Sequence, residues 1–137
     1  MVFSKKQSKP QNRIDSLIGA GTKIEGDVRF SGGLRVDGEI TGNVIANPGK
    51  PSTLVLSEHS RVDGEINVTH LVVNGLVTGP VHAAEYLELQ SKAKLTGDVH
   101  YKALEIQLGA IVEGRLIHLA EVSDKVVKLK LNGTESK

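Results

Sequence analysis

The sequence predicts an all-β solenoid, a chain wound into about six coils of short strands that stack on one another. Three observations carry that expectation. The hexapeptide RVDGEI occurs twice, as Arg35–Ile40 and Arg61–Ile66. Four segments, Ile18–Val28, Leu56–Ile66, Leu89–Val99 and Ile106–Leu116, align without gaps over eleven positions. The only aromatic residues are Phe3, Phe30, Tyr86 and Tyr101, so the core must be built from Ile, Val and Leu rather than from rings.

The aligned frame reads aliphatic, three variable positions, a small residue, one variable position, aliphatic, any, glycine, any, aliphatic. Its small column holds Thr22, Ser60, Ala93 and Ala110, and its glycine column holds Gly26, Gly64, Gly97 and Gly114. Two denser segments, Leu34–Val44 and Leu71–Val81, carry further corner glycines at Gly38 and Gly75. Glycine at this density would cost a helix about 1 kcal/mol per occurrence relative to alanine. Short strands of β-branched residues that bend at glycine fit the same pattern. Strands so short cannot bury a face alone, which forces stacking. A β-sandwich is the alternative, but nothing in a sandwich requires a gapless frame four times over.

Spacing completes this reading. Gly79 to Gly97 and Gly97 to Gly114 define coils of 17–18 residues with three short faces. Between the hexapeptides, Ala46–Thr53 carries two prolines and a glycine, the composition of a loop. Removing it brings the two copies of RVDGEI onto one corner of neighbouring coils. Coils at about 4.8 Å per turn give a rod on the order of 30 Å long. The expected organisation is a tail over residues 1–13, a β-helical core over 14–120 and a second tail over 121–137.

A stacked coil leaves unpaired backbone groups on its first and last turns, and solenoids usually protect them. Here the first repeat starts at Ile14 or Leu17, directly after a polar stretch, and the last ends near Leu116–Leu119. Open ends would let coils of separate molecules pair and continue the sheet, giving a filament. The competing expectation is that Asp124–Gly133 folds back as a cap, since Val127-Lys128-Leu129-Lys130-Leu131 alternates like a strand.

The stretch Ile18–Val44 and the recurring Val/Leu-x-Gly corners through Gly114 resemble the bactofilins, bacterial polymer-forming cytoskeletal proteins. The resemblance implies a right-handed, three-sided β-helix. It also implies polymerisation without nucleotide or other cofactor into non-polar filaments that scaffold cell-wall or chromosome-positioning machinery at the cytoplasmic membrane. Peptidoglycan-modifying enzymes and partition proteins are the partners it suggests, beside further copies of the chain. Some bactofilins support the subunit contact with a bulky aromatic near the C-terminal end of the core. This chain has no Phe after Phe30. The expected contact is therefore aliphatic, through Leu116, Ile117 and Leu119 at one end and Leu17 and Ile18 at the other.

The first thirteen residues hold Lys5, Lys6, Lys9 and Arg13 with no acidic residue. Bactofilin tails with a similar Phe-Ser-Lys start can act as membrane-targeting sequences, a role the likeness suggests for Phe3, Lys5 and Lys6 on anionic lipids. One inserted Phe contributes about 1.5–3 kcal/mol and each basic residue about 1 kcal/mol. A single tail would bind near millimolar, whereas a filament of many tails would hold through avidity. An ordinary solvated tail is the plainer alternative.

Other chemistry finds little support. With 17 Lys+Arg against 16 Asp+Glu and few stacking rings, the chain offers no nucleic-acid surface. It has no cysteine, so neither disulfides nor thiolate metal sites are expected. A signal peptide and a membrane span of about 20 apolar residues are both missing from the pattern, which points to the cytoplasm. His82 and His100 should stack on adjacent turns with His118 one position out of step, a polar column rather than a metal ladder. The corner carboxylates Glu25, Asp27, Asp37, Glu39, Asp63 and Glu65 are expected to be solvated rather than catalytic. A period of six through Ile18, Ile24, Phe30 and Val36 resembles the hexapeptide repeat of left-handed acyltransferases, but it breaks at Gly42. An acyltransferase-like trimer is thus the enzymatic alternative, and a monomeric β-helical binding module a third. No catalytic residue is marked.

Overall fold

A computed structural model describes residues 13–120. Within them the chain is all-β, without a helix, and forms a parallel β-solenoid of six turns. The first turn contains β1 (Ser16–Ile18), β2 (Lys23–Glu25) and β3 (Val28–Phe30). The second contains β4 (Gly32–Val36), β5 (Glu39–Thr41) and β6 (Val44–Ala46). Then come β7 (Ser52–Leu56), β8 (Arg61–Asp63), β9 (Ile66–Val73), β10 (Leu76–Thr78) and β11 (Val81–Leu89). The chain closes with β12 (Lys94–Thr96), β13 (Val99–Tyr101), β14 (Leu104–Ile106), β15 (Ile111–Glu113) and β16 (Leu116–His118).

Every pairing is parallel, and the strands fall into three ladders. The first runs β1-β4-β7, the second halves of β9 and β11, and β14. Ladder two runs β2-β5-β8-β10-β12-β15. Ladder three runs β3-β6, the first halves of β9 and β11, then β13 and β16. Because β9 and β11 pass unbroken from ladder three into ladder one, these two ladders join in one ten-stranded sheet.

Alternation along each strand sends one set of side chains inward and the next outward. The inward columns are nearly all aliphatic. In ladder one, Leu34, Leu54, Leu71, Leu87 and Leu104 stack, as do Ile18, Val36, Leu56, Val73, Leu89 and Ile106. Ile24, Ile40, Val62, Val77, Leu95 and Val112 form the column of ladder two. Val28, Val44, Ile66, Val81, Val99 and Leu116 form that of ladder three. The first and last aliphatics of the eleven-residue frame therefore occupy fixed columns in every segment where the frame was found.

The register corrects the reading of the repeated hexapeptide. Arg35 and Val36 lie in ladder one against Val55 and Leu56, whereas Arg61–Asp63 lies in ladder two against Glu39–Thr41. The two copies do not stack on each other. The reason is a corner of variable length between ladders one and two. Four residues fill it in Ser57–Ser60 and only two in Asp37-Gly38 and Asn74-Gly75. Gly38 and Gly75 thus join the small column with Thr22, Ser60, Ala93 and Ala110, as the bonds to Gly38, Ser60, Gly75 and Ala93 carbonyls show. The corner between ladders two and three belongs to Gly26, Gly42, Gly64, Gly79, Gly97 and Gly114, each lying against the one before it.

Coil length varies more than the expected 17–18 residues, partly through this corner and partly through a loop between ladders three and one. Successive positions after the corner glycine are 16 apart from Asp27 to Asn43, 22 from Asn43 to Glu65, and 17 from Asp98 to Arg115. The long coil contains the predicted loop, which is shorter than expected. It covers Asn47–Pro51, while Ala46, Ser52 and Thr53 belong to strands. Its return is pinned to the next turn. The Ser52 amide donates to Thr69 Oγ1 at 2.7 Å, the Thr69 amide to Ser52 Oγ at 3.1 Å, and the Thr69 hydroxyl to the Ser52 carbonyl at 2.6 Å. With that proton committed, Thr69 Oγ1 accepts from His70 Nδ1 at 3.1 Å, which fixes the tautomer of this buried imidazole.

Candidate functional site at the two end coils

Among the described residues the core columns are sealed through the middle turns and uncovered at the ends. Leu89 and Val99 are fully buried, yet their column neighbours one turn further on, Ile106 and Leu116, are 47% and 44% exposed. Nothing in the sequence distinguishes these residues from their buried counterparts. They are exposed because no further coil of the described residues lies over them. At the other end Ile18, Ile24 and Val28 are only partly buried, and only Phe30 closes on the core. Strand edges obey the same rule. Among the described residues, β1, β2 and β3 pair on one side only, as do β14, β15 and β16.

The sequence-predicted interface residues separate into two groups. Ile18 and Leu116 stand in inward columns, so they line the uncovered core. Leu17, 61% exposed, shares the outward column of Arg35, and Ile117 that of His100; both face sideways from the rod. Leu119 lies just past β16, half-buried, with its amide donating to the Tyr101 carbonyl. Sequence reasoning missed Ile106 and Val112, although the aligned frame placed Ile106 in the same column as Ile18. The signal was present; the missing step was from last repeat to last layer. Phe3, Lys5, Lys6 and the stretch Asp124–Gly133 lie outside the described residues.

Corner side chains carry part of the stacking. Asp27 Oδ1 accepts the Asn43 amide at 2.9 Å, and Asn43 Oδ1 accepts the Glu65 amide at 2.9 Å. Asp98 repeats the device at the far end, taking the Arg115 amide at 3.2 Å and its guanidinium at 2.8 Å. The Arg115 side chain, and after it the Arg115 amide, holds the Asp98 carboxyl below the usual carboxylate range. Asp15 is lowered chiefly by the Gly33 amide. Asp27 is therefore a coil-to-coil acceptor rather than a merely solvated charge. Along ladder one, Tyr86 donates to Glu105 at 2.7 Å, and this bond pushes the phenol up to about 12.

His82 and His100 do stack, with ring centroids 4.4 Å apart and planes 14° from parallel. A carboxylate that the sequence pattern did not place there joins them, since Glu65 Oε2 lies 3.2 Å from His82 Nε2. The corner fold brings it across although it is out of register in the strand. His118 instead meets Tyr101 at 5.5 Å and the Lys102 carbonyl at 3.0 Å. Among the described residues no group of three or more His, Asp or Glu side chains is arranged to hold a metal ion. No helix there is long and apolar enough to cross a membrane.

These features define a class: a β-solenoid repeat protein whose hydrophobic layers, among the described residues, run out uncovered at the two end coils. Comparison with known proteins agrees in kind. The profile of the bactofilins, described as polymer-forming cytoskeletal proteins, matches residues 16–117, and the chain belongs to the bactofilin family. It is 26% identical over 116 residues to Bactofilin BacP of Myxococcus xanthus, covering 85% of this chain and 47% of that protein. It is also 22% identical over 102 residues to Bactofilin BacO of the same organism, covering 74% of this chain and 78% of that protein. The chain thus spans about half the length of the first of these relatives. No solved structure matches it.

Proposed function

We infer that the chain is a non-enzymatic cytoskeletal subunit that stacks end to end into filaments without nucleotide. The observation carrying this reading is the pair of uncovered end layers. Ile106, Val112 and Leu116 at one end and Ile18, Ile24 and Val28 at the other continue columns that are dry everywhere between them. Sealing one such aliphatic contributes about 1.5–3 kcal/mol, and each end offers several beside its unpaired strand edges. Family membership supports the same reading, as do the corner acceptors Asp27, Asn43 and Asp98, which add a hydrogen bond to three of the coil-to-coil steps. The right-handed, three-sided cross-section and the absence of filament polarity belong to the proposal through the family.

The proposal extends to placement. Phe3, Lys5 and Lys6 anchor the filament to anionic lipid on the inner face of the cytoplasmic membrane, where it organises cell-wall or partition machinery. Electron microscopy of the purified chain without nucleotide tests assembly. Long filaments are expected, whereas discrete trimers or lone subunits would overturn it. Flotation with anionic liposomes tests the anchor: Phe3→Ala should release the protein while filaments persist, and unchanged flotation would refute that part.

A further inference from the structure

We propose that the outward face of ladder one is a self-complementary surface on which a second copy of the chain docks side by side, with the two rods antiparallel. Turn by turn, the central outward column of this face is Leu17, Arg35, Val55, Val72, Glu88 and Glu105. Its aliphatic members are outside the core: Leu17 is 61% exposed, and Val55 and Val72 are half-buried on the outer surface. Charge along the column is ordered. It is cationic in the second turn and anionic in the fifth and sixth, with the two valines between.

Such an order matches itself when reversed. A two-fold axis lying along the strands, between turns three and four, sets Val55 against Val72 of the second copy and Arg35 against Glu88 of the second copy, each twice. The flanking column, Asp37, Ser57, Asn74 and Gln90, agrees. There Asp37 meets Gln90 and Ser57 meets Asn74, and no like charges oppose each other. Parallel rods would instead bring Arg35 onto Arg35 and Glu88 onto Glu88, and like charges across an interface cost affinity. The side chains have bonding capacity to spare. Arg35 Nε donates to Asp37 at 3.0 Å, which leaves the terminal nitrogens of the guanidinium. Gln90 and Gln107 both donate to Glu88 Oε2 at 3.3 Å, which leaves Oε1. Glu88 also stands directly beside Glu105 in the register, a like-charge pair that a guanidinium from the facing copy relieves. The same two carboxylates weigh against an anionic lipid surface as the occupant. Six turns of about 4.8 Å by a strand of about five residues present on the order of 500 Å² per copy, less than a stable dimer interface. A single pair is therefore weak, with a dissociation constant of about 1 mM. The contact is lateral and does not rest on the end-to-end reading.

Sedimentation equilibrium of the full chain carrying Leu116→Glu, at concentrations up to about 1 mM, reads the pair with end stacking suppressed. Dimers are expected. Adding Arg35→Glu or Glu88→Arg singly should weaken them by at least about tenfold. Both changes together should restore the dimer, as should an equimolar mixture of the two single variants. Within one subunit these residues are three turns, about 14 Å, apart, so recovery reads contact between copies rather than a repaired fold. Single variants that associate like the parent, a double variant that fails to recover, or single subunits throughout would overturn the proposal. If the chain without Leu116→Glu never polymerises, the filament reading fails while the charge exchange still decides the pair.

Discussion

The middle turns and the end turns place the same kind of aliphatic residue in the same columns, and among the described residues they differ in having a neighbour on two sides or on one. Leu87, Leu89, Leu95 and Val99 in the fifth turn are fully buried. Leu104, Ile106, Val112 and Leu116 in the sixth are their register partners, and all four are half-buried or exposed. The lesson is that stability here is a property of interfaces between turns rather than of turns, as expected for a quasi-one-dimensional protein. An end turn, among the described residues, is half of an interface.

Breaking the comparison at its strongest point means touching the corner glycines. Gly64 has φ +156°, and a Cβ added there would fall on the Gly42 carbonyl oxygen. Gly26 holds the same corner in the first turn with φ +132°, but a Cβ there meets nothing within 4 Å. Backbone strain alone costs about 1–3 kcal/mol at either site, and forced overpacking adds about 1–3 kcal/mol at Gly64. Chemical denaturation should therefore rank Gly64→Ala as the more damaging change. Equal losses would mean that the first turn is covered in the same way as the third.

A smaller contrast separates folding from assembly. Leu89→Ala removes a sealed side chain and should cost about 2–5 kcal/mol. Ile106→Ala, one turn later in the same column, should cost about 1 kcal/mol or less in the single subunit while raising the concentration needed for assembly. Denaturation of dilute protein beside a pelleting assay reads both effects. A large folding loss at Ile106 would show that the sixth turn is already closed within the molecule.

The smallest effect is spectroscopic. Tyr86 joins the fifth turn to Glu105 of the sixth, and its pKa is raised to about 12 from the ordinary 10. A raised phenol pKa means that the fold favours the neutral form. That contribution is complete below pH 10 and is lost as the pH climbs through 12. In a Tyr101→Phe background the phenolate absorbance should rise near pH 12, and Glu105→Gln should bring it back towards 10. Ionisation near 10 with Glu105 intact would mean that the two turns are not joined there.

Much of the fold was legible because the aliphatic frame is a direct image of the columns. Ile18, Leu56, Leu89 and Ile106 aligned as letters and stack as residues. The misleading signal was identity without register. RVDGEI suits any tight β-corner, because Asp-Gly bends a chain wherever it stands, so the same six letters serve two different corners. The two-residue corners Asp37-Gly38 and Asn74-Gly75 hid the fact that Gly42, like Gly79, belongs to the glycine column, and that Gly38 and Gly75 belong to the small column. At the ends, the letters of Ile106 and Leu116 are those of core residues. Their exposure is set by whether another coil covers the sixth turn, which is a matter of stacking rather than of local sequence. The Glu65–His82 contact was equally invisible, since it crosses from one turn to the next out of strand register.

The central claim, that the uncovered end layers are completed by other copies of the chain, is most directly tested by sedimentation velocity of the purified protein across a concentration series without nucleotide, beside Leu116→Glu. The parent should shift from single subunits to fast, open-ended polymers as concentration rises, and the glutamate variant should remain a single sharp boundary. A parent that stays one slow boundary at the highest concentration, indistinguishable from Leu116→Glu, would contradict the account.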